Sequence, residues 1–253
     1  MIPTLILDLD NTIIGNITYQ LLTFNLCKKA SKLPPITNCY NEKSGIIRSG
    51  FVQFIRTLLM AIPDVKIYVY TASQKEWALK EIKWIEKCCN IKFDRPILTR
   101  TDCLEINGDF YKSINKVNKK IKHISAENLL IIDNNDIFID CKENFIKCPS
   151  YNYIYFVDMW KSIPEKCLNN NDVSNFILKL IKDGYMNPFN VVDINTDMDK
   201  SIKSLDWFQK KLVKINKNNK KYLNDNFWKQ LTKVILNYNV KDLNSIKQHI
   251  RLE

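Results

Sequence analysis

Histidine is scarce in this sequence of 253 residues, with two in all, and none of its eight cysteines stands in a CxxC pair. His123 and His249 have no ligand-like spacing to any cysteine, which argues against a zinc site. No apolar run approaches the roughly 18 residues that a membrane span requires. The start MIPTLILDLD is apolar but has no basic leader and meets acid at Asp8, so it predicts a buried strand and not a signal peptide. There is no internal repeat. The expectation is a protein that is not secreted and spans no membrane, placed in nucleus or cytoplasm, with reduced thiols, several of them in its core.

What is present is ordinary for a folded globular chain: 45% hydrophobic and 26% charged residues. The net charge of +11 is unevenly spread, since residues 200–253 hold 13 Lys/Arg against 4 Asp/Glu. A basic appended module is expected there, suited to an acidic partner, with nucleic acid among the candidates. Nothing in the sequence sets the oligomeric state.

Apolar runs at residues 4–9 (TLILDL), 66–70 (KIYVY), 129–132 (LLII) and 153–157 (YIYFV) read as short buried strands. Helical spacing lies between them, at Phe51, Phe54, Ile55, Leu58 and Leu59 and again at Trp77, Ile82, Trp84 and Ile85. The alternation predicts an α/β fold with a doubly wound parallel sheet. An insert at about 15–47 contains a predicted helix from about Ile17 to Lys29, and Asn107-Gly108 predicts a hairpin within 97–114 that presents Lys112 near its end. The segment VSNFILKLI reads as a closing helix, so the first domain is expected to run from 1 to about 184. Residues 185–253 read as an all-helical extension with three amphipathic helices around Ile202–Ile215, Phe227–Tyr238 and Leu243–Ile250.

Ligands of such sheets bind beyond the carboxyl ends of the strands, where this chain has Asp8-Leu9-Asp10-Asn11-Thr12 after the first strand and Asp133-Asn134 after the third. Carboxylates at i and i+2 on a loop leaving a strand can face one crevice. The first is then placed to attack phosphorus and the second to pass a proton to the leaving oxygen. Carboxylates at a sheet end also suit Mg²⁺, which takes hard oxygen ligands.

DLDNT resembles the first signature of the haloacid dehalogenase superfamily of aspartate-nucleophile phosphatases, and the other signatures follow in order: Tyr70-Thr71-Ala72-Ser73, Lys112, and Asp133-Asn134. YTAS, Arg100-Thr101-Asp102-Cys103, Gly108-Asp109-Phe110-Tyr111-Lys112 and IIDNN resemble, more narrowly, the Fcp/Scp-type phosphatases, also described as NLI-interacting-factor-like. Those enzymes dephosphorylate serines in the carboxy-terminal domain of RNA polymerase II and related proteins. The resemblance, over about residues 2–182, implies a haloacid dehalogenase-like domain and a Mg²⁺-dependent phosphoserine/threonine protein phosphatase with an aspartyl-phosphate intermediate. Asp8 is then the nucleophile, Asp10 the general acid, Thr71 a phosphoryl ligand and Lys112 its neutralising cation. Asp8, the Asp10 carbonyl, Asp133 and Asn134 form the implied metal set. Thr12, Arg48 and Arg100 are candidate substrate contacts.

This chain departs from the pattern at Asn135-Asp136, where the family often has Ser-Pro, and at Ser113-Ile114, which leaves Lys116 and Lys119 as rivals of Lys112. Two other readings stay open: a polynucleotide 3′-phosphatase or small-molecule phosphatase, and a non-catalytic scaffold in a transcription or RNA-processing assembly.

Overall fold

The structure, a computed structural model, describes residues 2–15, 42–121, 124–153 and 224–250, with single positions between 175 and 222. The chain divides into two compact units: Met1–Gly15, Thr37–Asn152 and Asn224–Glu253 in one, Asn16–Ile36 and Tyr153–Leu223 in the other. The second unit lies almost wholly outside the described residues. With it go the helix expected at Ile17–Lys29, the strand at 153–157, the closing helix and the first of the three C-terminal helices. The division does not follow the boundary expected near 184: residues 224–253 group with the amino-terminal sheet.

The first unit is built on a four-stranded sheet in the order β2-β1-β5-β6. Here β1 is Thr4–Leu7, β2 Lys66–Val69, β5 Leu129–Asp133 and β6 Phe145–Lys147, and every pairing is parallel. β1 and β5 are buried along their whole length, which is why they read as unbroken apolar runs instead of alternating ones. β6 was not expected; its three residues, Phe-Ile-Lys, are too few and too mixed to give a periodic signal. The expected hairpin forms from β3 (Leu104–Ile106) and β4 (Asp109–Tyr111). Its turn needs two residues at positive φ, which Asn107 (54°) and Gly108 (84°) supply.

Helix α1, Phe51–Ala61, buries Phe51, Phe54, Ile55 and Leu58, and α2, Lys75–Cys89, buries Ala78, Ile82, Ile85 and Cys89. A four-residue turn of helix, α3 (Ile114–Val117), follows the hairpin. Near the C-terminus come α4, Phe227–Asn237, and α5, Leu243–His249, the latter capped by the Asp242 carboxylate on Ser245 N. The basic character of this segment stays on the solvent side, while Phe227, Trp228, Leu231, Ile235, Leu243 and Ile246 are buried. The Trp228 ring meets Phe51 edge-on (centroids 5.1 Å) and Phe54 at a tilt (4.9 Å), so α4 packs on α1. Gly50, at φ 83°, permits this approach, because a Cβ there would stand 2.8 Å from Lys229 Cγ and 3.2 Å from Lys229 N.

No helix among the described residues is long and apolar enough to cross a membrane. Cys89, Cys103, Cys141 and Cys148 are free thiols, and all but Cys141 are buried.

Candidate active site

The crevice forms where the sheet order reverses. From β1 the chain goes to β2 on one side, while β5 lies on the other, so the carboxyl ends of β1 and β5 are adjacent. The ladder continues one step past β1, with Asp8 N donating to Ile132 O at 3.0 Å. Asp8 and Asp133 therefore leave the sheet side by side.

Lys112 enters between them. Its Nζ donates to Asp8 Oδ1 and to Asp133 Oδ2, both at 2.6 Å, with the side chain buried and walled by the rings of Tyr70 and Phe138, each 5.6 Å away. Its backbone is pinned too: Lys112 N donates to Ile137 O (2.9 Å), and Lys112 O accepts from Ile139 N (3.1 Å). Asp140 then accepts from Ser113 Oγ, Ile114 N and Asn115 N and starts α3 directly behind the lysine. Lys116, the rival candidate, instead donates its Nζ to the Cys103 carbonyl.

The second oxygen of Asp8, Oδ2, accepts from Thr12 Oγ1 at 2.9 Å, and that hydroxyl accepts from Asn134 N at 3.2 Å. Asp10 is held by other groups: its Oδ2 accepts from Thr71 Oγ1 (3.1 Å) and Ser73 Oγ (2.8 Å). Burial pushes the Asp8 carboxyl up to about 7, against the opposing pull of Lys112. Burial also raises Asp10, while the Ser73 and Thr71 hydroxyls pull it back. Burial alone would lower the Lys112 ammonium; the two carboxylates more than reverse this and raise it. Each carboxylate of the i, i+2 pair thus has its own environment, as a nucleophile and a proton donor require.

Several sequence expectations change. Thr12 was expected to touch substrate, but its hydroxyl is fully buried and spent on Asp8 and Asn134, so it orients the carboxylate instead. Arg48 was expected to bind substrate, yet it is 0% exposed. It is paired with Asp225 and lies 5.4 Å from the centre of the Tyr151 ring and 5.0 Å from that of Phe227, which leaves it no face for a ligand. Asp136 is a surface acid, 53% exposed and 3.9 Å from Lys142. Arg100 is near the site: its N donates to Ser73 O, its Nε to Ala72 O (2.8 Å), and its guanidinium lies 4.9 Å from the centre of the Phe110 ring. It lines an open groove of about 740 Å³ with Lys75, Glu76, Glu105, Phe110 and Lys116. Ser73 joins the site as a second hydroxyl on Asp10; its position two residues after Thr71 in YTAS is the sequence signal for it. Nothing local marked Asp225 or Trp228.

The residues present suit a hard divalent cation. When the Asn134 amide nitrogen is turned toward the loop, it lies 3.0 Å from the Asp10 carbonyl oxygen and 3.3 Å from Asp8 Oδ2. With its nitrogen there the amide donates to both oxygens; turned the other way, it brings its own oxygen to the Asp10 carbonyl and the Asp8 carboxylate, and three such oxygens are the donors that Mg²⁺ takes. Among the described residues, no three His, Cys, Asp or Glu side chains group to hold a metal, so the set leans on the carbonyl and the amide.

A parallel sheet whose first strand delivers a DxDxT loop against a lysine and a second strand-end aspartate is the architecture of the haloacid dehalogenase-like phosphatases. Within that class, the chain belongs to the NLI interacting factor-like phosphatase family, whose model matches residues 3–163. Among solved structures it is similar to an arginine variant of the fission yeast RNA polymerase II CTD phosphatase Fcp1 bound to beryllium fluoride. That match has 15% identity and a TM-score of 0.41, and covers 97% of this chain and 69% of that one. A second structure, of Fcp1, an essential RNA polymerase II CTD phosphatase, matches with 17% identity and a TM-score of 0.40 over the same shares of the two chains. No curated protein matches.

Proposed function

We propose that this chain is a Mg²⁺-dependent phosphoserine/threonine protein phosphatase that carries the phosphoryl group on Asp8. One observation carries the reading: the Asp8 carboxylate is fixed at both oxygens, by Lys112 (2.6 Å) and Thr12 (2.9 Å), while Asp10 is held apart by Thr71 and Ser73. An Asp8 oxygen attacks phosphorus as the bond to the seryl or threonyl oxygen breaks, and Asp10, which burial favours in its protonated form, gives that oxygen its proton. The Asp10 carboxylate next takes a proton from water. The water oxygen attacks phosphorus, the bond to Asp8 breaks, and inorganic phosphate leaves. Lys112 offsets the negative charge that gathers over Asp8, Asp133 and the phosphoryl oxygens. Thr71 is assigned to a phosphoryl oxygen, a short swing from its present bond to Asp10. Asp8, Asp133, the Asp10 carbonyl and Asn134 would hold Mg²⁺, which when bound supplies the charge that lets one anion approach another. The Arg100 groove is where peptide flanking the phosphorylated residue would lie.

The test is Mg²⁺-dependent phosphate release from a phosphoserine heptad peptide and from a 3′-phosphorylated oligonucleotide, by wild type, Asp8→Asn and Asp10→Asn. Peptide turnover lost in both variants is the expected result. Preference for the oligonucleotide would replace the protein substrate with a nucleic-acid one, and no turnover on either would leave the scaffold reading.

A further inference from the structure

The family match ends at residue 163, yet a side chain far beyond it reaches the loop that carries Asp8. Between Asp8 and Gly15 the chain reverses, and three successive carbonyls of that turn are taken by three remote segments. Asn11 O accepts from Tyr151 N (2.8 Å), Thr12 O from Trp228 Nε1 (3.4 Å), and Ile13 O from Arg48 N (2.9 Å). Of the three donors, only Trp228 uses a side chain. The indole is fully buried, and Phe51 and Phe54 of α1 fix its plane, so the direction of its N–H is set by packing. The same C-terminal segment reaches Thr12 by a second path. Asp225 holds Arg48, Arg48 Nη1 donates to Cys148 Sγ (3.6 Å), and that thiol lies 3.7 Å from Thr12 Oγ1. Thr12 is the residue whose hydroxyl donates to Asp8 Oδ2.

We infer that Trp228 is a positioning residue for the aspartate loop: its N–H holds the Thr12 carbonyl and, through the Thr12 hydroxyl, the orientation of the Asp8 carboxylate. This rests on the reading of Asp8 as the nucleophile. A residue that only filled the core would do as well with a phenyl ring, which has no N–H, and the two roles separate on that point. A misaligned nucleophile slows the chemical step and leaves substrate binding to other groups.

The experiment compares full-length Trp228→Phe with Ile235→Ala, which thins the buried face of the same helix about two turns further on and leaves the indole and the rings around it in place. Steady-state kinetics on p-nitrophenyl phosphate with Mg²⁺, thermal melts, and amide exchange across residues 8–14 are measured for both. Trp228→Phe is expected to lower kcat about tenfold with KM within about twofold, and to speed exchange across 8–14. Ile235→Ala is expected to lower the melting temperature at least as far with kcat and that exchange unchanged. Equal losses of kcat in the two variants, or no change of kcat and exchange in Trp228→Phe, would overturn the inference. If the wild type shows no turnover, the phosphatase reading fails by itself and exchange decides: faster exchange across 8–14 in Trp228→Phe alone upholds the positioning role, and equal exchange in the two variants rejects it.

Discussion

Arg48 and Asp225, 177 positions apart in the chain, form a two-pronged ion pair, with Nε to Oδ1 at 2.9 Å and Nη2 to Oδ2 at 2.7 Å. The arginine is shut off from solvent, so removing its partner would leave an uncompensated charge in the core.

Asp225→Ala should therefore destabilise the protein by about 3 kcal/mol, whereas Arg48→Met with Asp225→Leu together should cost clearly less than the two single changes added. Urea midpoints measure this. Full additivity would show that the two residues act independently.

The lysine between Asp8 and Asp133 makes a related prediction. Lys112→Ala leaves two buried carboxylates facing each other and should lower stability in EDTA by about 3 kcal/mol. Adding Asp133→Asn to that variant removes one of the charges and should bring part of the loss back. A double variant that melts below Lys112→Ala would mean that repulsion is not the cause.

Gly50 and Gly108 have nearly the same φ, 83° and 84°, but only Gly50 faces a neighbour within 4 Å. Gly108→Ala should cost about 1 kcal/mol, the conformational penalty alone. At Gly50 the new Cβ also presses on the Lys229 backbone, so Gly50→Ala should cost about 2–3 kcal/mol. Denaturant midpoints that rank the two variants equally would refute the close approach of α4.

Burial pushes the Cys89 thiol up to about 12 from an ordinary 9.0. Between those values the unfolded chain gives up the proton that the folded chain keeps, so this thiol's contribution to stability is complete below pH 9 and falls as pH rises. The melting temperature should drop more steeply above pH 9 in wild type than in Cys89→Ala. Identical slopes would contradict the shift.

Short-range chemistry made much of this molecule legible. The apolar runs of β1, β2 and β5, the Asn107-Gly108 turn, the stripes of α1 and α2 and the spacing of α4 each express their structure within a few residues. So did the approach of Asp8, Lys112 and Asp133, because strand ends and a hairpin fix where those side chains emerge. Arg48 misled because an isolated arginine gives no local sign of burial; its partner lies across most of the chain. Trp228 lies on a helix whose spacing is legible, but its N–H has a destination that helical spacing cannot express. β6 was hidden by its brevity.

The bond from Trp228 to Thr12 spans 216 positions, and that span has a consequence for synthesis. The four-stranded sheet can form once residues up to 147 have left the ribosome, but the turn that holds Asp8 must wait for α4. During translation, at roughly 5–20 residues per second, a nascent chain passes through a stage with its sheet assembled and its aspartate loop still short of one clamp. Ribosome-bound chains stopped before and after α4 emerges should therefore differ at Asp8 while sharing the same sheet.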